Sequence, residues 1–226
     1  MVVKRTRAFT LLELITVIAI IAVVSSLLFA AFSQAKASAK SATCLSNLSQ
    51  IGKAINLYMN DNDDVFPNAV DFSDRAVPTI WDARPDWEAR IADMPLFEDL
   101  LFPYVKTRAV FHCPLDTGFS FLDANYPTAL NARPSAFSAF GSSYLLRTEF
   151  VFTAQTGTST AAPADVNLVF DASGAWHGSG GPLSANLDDS SLYRLLRGYR
   201  YNVLYADYHA KNVTWRGLGH AWSVRL

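Results

Sequence analysis

Lys4-Arg5-Thr6-Arg7-Ala8-Phe9-Thr10-Leu11-Leu12-Glu13-Leu14-Ile15 opens the stretch that decides the fold. From Ala8 to Phe32 there is no Lys, Arg, Asp, Gly or Pro, and Glu13 is the only charge. As a helix these 25 residues, rising about 1.5 Å each, span roughly 37 Å, enough to cross a hydrocarbon layer of about 30 Å. Lys4, Arg5 and Arg7 precede the run, whereas Lys36 and Lys40 only follow it. The positive-inside rule therefore sets the N-terminus in the cytoplasm and everything beyond Ser33 outside, in a single pass. A charge at mid-bilayer costs about 2.5–3.5 kcal/mol, so Glu13 asks for a partner. A chain cut before Phe9 gains an α-amino cation, and the amine of a neighbouring copy could pair with Glu13 and fix a stagger of one subunit.

The helical pattern continues past the apolar run. Ser33 to Asn60 holds no proline and one glycine, Gly52. Leu45, Leu48, Ile51, Ile55 and Tyr58, with Met59 beside them, recur at three or four residues and draw one apolar stripe. Lys36, Lys40, Asn47, Gln50 and Lys53 fall largely off it. Asp61-Asn62-Asp63-Asp64 and Pro67 break the pattern. The spacing predicts one helix from about Phe9 to Asn60, with residues 9–32 in lipid and the amphipathic residues 33–60 packed on a soluble head, 61–226.

The head reads as turns and short aromatic runs. A short helix is expected over Met94–Val105 with Pro95 in its first turn, and strands over Ser143–Phe152, Asn167–Ala172, Tyr199–His209 and Asn212–Arg216. The fold class is α+β, a long N-terminal helix against a small antiparallel sheet. With 226 residues, 50% apolar residues and 17% charged residues, the chain is ample for one core and is no disordered polymer. A net charge of −1 gives no nucleic-acid footprint. Two cysteines and four histidines are too few for a zinc ribbon or a disulfide-dense scaffold.

The run Lys4 to Ile15 resembles the class III signal of type IV prepilins and type II secretion pseudopilins. That resemblance implies a pilin-like fold, a basic leader over residues 1–8, cleavage between Ala8 and Phe9 by an aspartic prepilin peptidase, and N-methylation of Phe9. Glu13 matches the acidic fifth mature residue used in assembly. Ala8 departs from the usual glycine. An ordinary signal peptide is the competing reading, with Ser33-Gln34-Ala35 as a small-x-small site. Against it, the apolar run exceeds the usual length of about 7–15 residues, and such a signal has no use for an acid.

The resemblance extends to a subgroup of large pilin-like proteins of environmental bacteria, through Cys44-Leu45-Ser46-Asn47-Leu48-Ser49-Gln50-Ile51-Gly52, through Cys113-Pro114-Leu115-Asp116, and through Asn202-Val203-Leu204-Tyr205-Ala206-Asp207-Tyr208-His209. Tyr208 stands where the subgroup has glycine, and Arg197 where histidine is usual. Cys44 and Cys113 lie in matched segments on the same side of the membrane. A disulfide closing their 69-residue separation is worth on the order of 4 kcal/mol in the chain-entropy picture; two buried free thiols are the alternative.

The remaining candidates are weaker. Asp61, Asp63 and Asp64 offer hard oxygen ligands for calcium, as in some pseudopilins, but the EF-hand glycine and terminal glutamate are missing, and no cofactor is expected. Asp207 and His209, two apart on an expected strand, share a face, with His177 elsewhere; a polar strand face is the plainer reading. No metal ligand and no nucleophile with a visible base is assigned. The expectation is a structural subunit of a pilus or secretion pseudopilus rather than an enzyme. Its implied partners are further pilins or pseudopilins, prepilin peptidase and an inner-membrane assembly platform. The alternative is a membrane-anchored periplasmic domain with a ligand-binding or enzymatic role. Ala19, Ala22, Ser25, Ser26, Ala30 and Ala31 allow close helix approach. Loss of Lys4, Arg5 and Arg7 moves the net charge from −1 to −4, against DNA binding by bulk charge.

Overall fold

The computed structural model describes residues 9–123, 128–153, 156–157 and 159–226. Helix α1 runs unbroken over Leu11–Asp61, close to the expected span. It is the one described helix long and apolar enough to cross a membrane. Two compact units divide the chain, Met1–Ala39 and Lys40–Leu226. In the first, the apolar side chains of α1 stand exposed, Leu12 at 72% and Leu27 at 70%, so in water this surface needs lipid or other helices to cover it.

In the second unit α1 lies on an antiparallel sheet of β3 (Tyr144–Leu146), β4 (Asn167–Asp171), β5 (Arg200–Tyr205) and β6 (Ala210–Thr214), in that spatial order. Cys44, Leu48, Ile51, Ile55 and Met59 are buried, so the contact stripe begins at Cys44 and ends at Met59, while Leu45 and Tyr58 flank it half-buried. Gly52 lies on this seam because an added Cβ would sit 2.9 Å from Leu204 Cδ1 of β5. The expectation that Asn47 lies off the stripe fails: it is buried, and its side-chain amide donates to the His112 carbonyl at 2.8 Å. That bond satisfies a polar group which would otherwise be costly inside the seam.

The sheet is covered on both faces. Tyr144, Leu146, Leu168 and Leu204 join the α1 core, while Leu145, Phe170, Tyr201 and Val203 join a second core with Leu196 of α8 (Asp189–Leu196) and Leu218 of α9 (Trp215–Ser223). Burial on both faces is why β4 reads as a continuous apolar run instead of an alternating one.

Several expected elements end early. The run Ser143–Phe152 stays in the sheet only through Leu146, then turns into helix α7 (Glu149–Phe152), where Phe150 packs 4.5 Å from Phe66 between ring centroids. Tyr199–His209 yields β5 and then a turn with Tyr208 at φ 69°, in place of the glycine that the resemblance led one to expect. Asn212–Arg216 gives way at Thr214, whose side chain accepts from Gly217 N and starts α9. The expected helix over Met94–Val105 divides into α4 (Phe97–Leu100) and α5 (Phe102–Val105). Pro95 precedes α4, and its carbonyl accepts from Val70 N at 3.0 Å. A two-stranded hairpin, β1 (Phe119–Leu122) with β2 (Thr128–Ala132), and the short helices α2 (Phe72–Ala76), α3 (Pro85–Ile91) and α6 (Ala136–Phe140) complete the described elements relevant here.

Candidate functional site

At the N-terminus Ala8 lies outside the described residues, as do Lys4, Arg5 and Arg7, while Phe9 is 84% exposed. Thr10 and Glu13 form a reciprocal cap on α1. Thr10 N and Thr10 Oγ1 each donate to Glu13 Oε2 at 2.8 Å, and Glu13 N donates back to Thr10 Oγ1 at 3.2 Å. This is the Thr-x-x-Glu capping box, which satisfies donors that the helix end leaves free. The signal stands in the sequence, yet reading Glu13 only as a partner for a neighbouring amine passes over it.

Cys44 and Cys113 are joined in a disulfide with Cα atoms 4.9 Å apart, and no free cysteine remains. The bond ties α1 to the loop ahead of β1, whose Cys113 N donates to Ser143 Oγ, next to β3, at 3.0 Å. Around it lies a polar cluster that sequence reasoning did not assemble. His177 Nε2 is 3.4 Å from Cys113 Sγ and 3.2 Å from Asp171 Oδ2, and its Nδ1 is 3.3 Å from Ser41 Oγ. Asn202 Nδ2 stands 3.0 Å from Nε2, and Asn202 Oδ1 accepts from Asn212 at 2.8 Å. The His177 and Asp171 side chains are 1% and 0% exposed. Asp171 on β4 and Asn202 on β5 come from adjacent strands, His177 from a glycine-flanked loop and Ser41 from α1, so no local sequence signal reveals the cluster.

Asp207 and His209 do meet, with Asp207 Oδ1 to His209 Nδ1 at 2.6 Å, but in an exposed turn beyond β5 and not on a strand face. The Asp61, Asp63 and Asp64 side chains are exposed, with Asp63 and Asp64 at positive φ. Among the described residues the side chains whose ligand atoms converge are Cys44, Cys113 and His177.

Buried acids form a second, structural group. Asp71 caps α2, accepts from Ser73 N and Asp74 N, and receives Leu146 N of β3 at 2.9 Å. Burial, reinforced by the charge of Asp74, pushes its carboxyl well above the usual range. Burial likewise raises Asp123 to about 6, against hydrogen bonds from Gly174 N and Tyr201 Oη. Glu98 is raised to about 7, chiefly by burial; neither carboxylate oxygen has a hydrogen-bond partner among the described residues.

No curated protein and no solved structure matches this chain. The family described as the prokaryotic N-terminal methylation motif matches residues 3–29, a span that contains Phe9, Glu13 and most of the apolar run. This N-terminal segment is that of type IV prepilins and pseudopilins, and with its long apolar helix and α+β head the chain is pilin- or pseudopilin-like.

Proposed function

We propose that the chain is a structural subunit of a type IV pilus or type II secretion pseudopilus, without a catalytic role of its own. The observation that carries this reading is the methylation motif over residues 3–29, which runs into the exposed apolar side chains of the first half of α1. Prepilin peptidase cuts between Ala8 and Phe9 and the new terminus is methylated. Before assembly the chain sits in the inner membrane by one pass, N-terminus inside and head outside. Other pilins or pseudopilins then pack against α1 with the help of an inner-membrane assembly platform. Removing the leader exposes an amine on Phe9, next to Thr10 of the capping box, and a neighbouring amine reaching Glu13 exchanges an internal contact for one between subunits.

N-terminal mass spectrometry of the protein isolated from its own membranes tests this. The expected chain begins at N-methyl-Phe9. A chain beginning after Ala35 would establish an ordinary secreted protein, and an uncut chain would establish a tethered domain.

A further inference from the structure

Helix α9 carries a notch. Trp215, Gly219 and Trp222 follow one another at four and three residues, so they share one face, the two indoles about 10 Å apart along the axis with the glycine between them. A glycine inside a helix is destabilising against alanine, and no close packing demands one here: a Cβ on Gly219 would meet nothing within 4 Å. The notch borders a cavity of about 170 Å³ between α9 and the sheet, walled by Phe170 of β4 and Tyr201 of β5. Gly219 and Trp222 are exposed, so its mouth opens to solvent.

One acid lines this cavity. Asp123, the residue after β1, is 6% exposed. Its Oδ2 accepts from Gly174 N and from Tyr201 Oη, each at 2.8 Å. Its Oδ1 is buried with no hydrogen-bond partner among the described residues. A carboxyl titrating at about 6 is mainly ionised at neutral pH, and a buried carboxylate with an idle oxygen is costly unless a cation answers it. Arg147 is not that cation. It stands over the Trp222 ring, but Glu149 at 3.7 Å and the carbonyls of Ala221, Trp222 and Val224 already occupy its guanidinium.

The lining selects the kind of cation. A hard metal ion takes about six oxygens, and among the described residues Asp123 belongs to no group of three converging metal-ligand side chains. A primary ammonium brings three donors and a guanidinium five, against one idle acceptor. An ammonium whose hydrogens are replaced by methyl groups asks for no hydrogen bond, only for a negative charge and aromatic surface. We propose that this cavity binds the methylated ammonium group of a choline-like ligand, its charge balanced by Asp123 and its methyl groups seated among Trp215, Trp222, Phe170 and Tyr201. Gly219 leaves the room. The cavity is below the roughly 300 Å³ at which drug-sized sites begin, so it takes a head group and not a larger molecule. A filament subunit and a tethered head would display this site alike, so it stands apart from the assembly reading.

The test titrates the full chain, in a maltoside detergent that carries no ammonium, with choline chloride by calorimetry. The expected result is one choline per chain with a dissociation constant of about 1 mM or below. The alcohol 3,3-dimethylbutan-1-ol, which has the shape of choline without its charge, should bind at least about tenfold more weakly. Asp123→Asn should weaken choline binding by at least about tenfold as well. Gly219→Leu fills the notch from a position where no neighbouring atom is displaced, so it should abolish binding with an unfolding midpoint no lower than wild type. This variant decides the matter even if Asp123→Asn fails to fold. Phosphocholine binding as tightly as choline identifies a head group as the source, and binding of choline alone identifies a free methylated amine; either supports the site. No saturable binding of choline, equal binding of the neutral alcohol, or full affinity in Gly219→Leu overturns it.

Discussion

The Arg147 guanidinium, just beyond strand β3, lies 5.1 Å from the centroid of the Trp222 ring and donates to the Trp222 carbonyl at 3.0 Å. It also donates to Ala221 O at 3.2 Å, Val224 O at 3.3 Å and Asn167 Oδ1 at 3.2 Å. A cation at the end of α9 satisfies carbonyls that the helix itself cannot, and it opposes the negative end of the helix dipole. Arg147→Ala is expected to cost about 2–4 kcal/mol, because several charge-assisted bonds vanish and buried carbonyls stay unpaired. Arg147→Lys should restore less than half, since an ammonium cannot reach three carbonyls and lie over the indole together. Urea unfolding of the detergent-solubilised chain measures both.

Glu98 makes stability fall as pH rises. Its folded carboxyl titrates at about 7 against an ordinary 4.5, so between these values the folded chain holds a proton that the unfolded chain has lost. Stability from this group is whole below about pH 4.5, declines through the window, and is lost above 7, by a few kcal/mol at most. Glu98→Gln cannot ionise and should be stabilised relative to wild type at pH 8, with the gap shrinking toward pH 5. Thermal unfolding of both proteins across that range reads the difference directly; equal slopes would contradict it.

Gly178→Ala should destabilise the head by about 1–3 kcal/mol, the usual cost of forcing atoms into a filled space. A Cβ there would sit 2.1 Å from Gly198 O and 3.0 Å from Arg200 N, both backbone atoms that cannot swing aside. Gly181→Ala, where no atom lies within 4 Å, is the matched control and should change little in the same unfolding assay.

Replacing both Cys44 and Cys113 by Ala should lower stability by about 3–4 kcal/mol, because a 69-residue separation is no longer closed in the unfolded chain. Non-reducing peptide mapping of the wild type should recover the two cysteines on one cross-linked peptide.

Glu13→Leu should still enter the membrane, since removing a charge from the span lowers the insertion cost. Assembly should fail in most of the population, as a partnerless buried ammonium costs about 3–5 kcal/mol per subunit contact. A shear assay for polymer beside a membrane-fraction blot separates these. Normal polymer from Glu13→Leu would remove the assembly role.

The long helix was legible because its signals are local: an unbroken apolar run, then a stripe at three and four residues. The stripe was misplaced only by one position at each end, since Cys44 and Met59 are as apolar as their neighbours Leu45 and Tyr58. Strand β4 was legible as a compact apolar run. The ends of β3, β5 and β6 were not, because each is set by a side chain reacting to something distant or newly turned: Leu146 N bonds Asp71, Tyr208 takes a left-handed turn, and Thr214 caps a helix. The cluster around His177 was invisible for the same reason. Its members are separated by as many as 136 positions, and they meet only when α1, two loops and the paired strands β4 and β5 pack together.

The position of Cys44 within α1 has a mechanical consequence. Seventeen helical residues follow it to Asp61, and their seam of Leu48, Ile51, Ile55 and Met59 on the sheet is non-covalent. Tension entering the helix from its N-terminal end meets the weak Ser41–His177 contact and then, at Cys44, the first covalent tie, passing through the disulfide to Cys113 and on to Ser143 beside β3. The seam is thereby shielded from shear. A fibre pulled along this helix would stretch against a covalent bond, and peeling the helix from its groove would begin only after that bond had been cut.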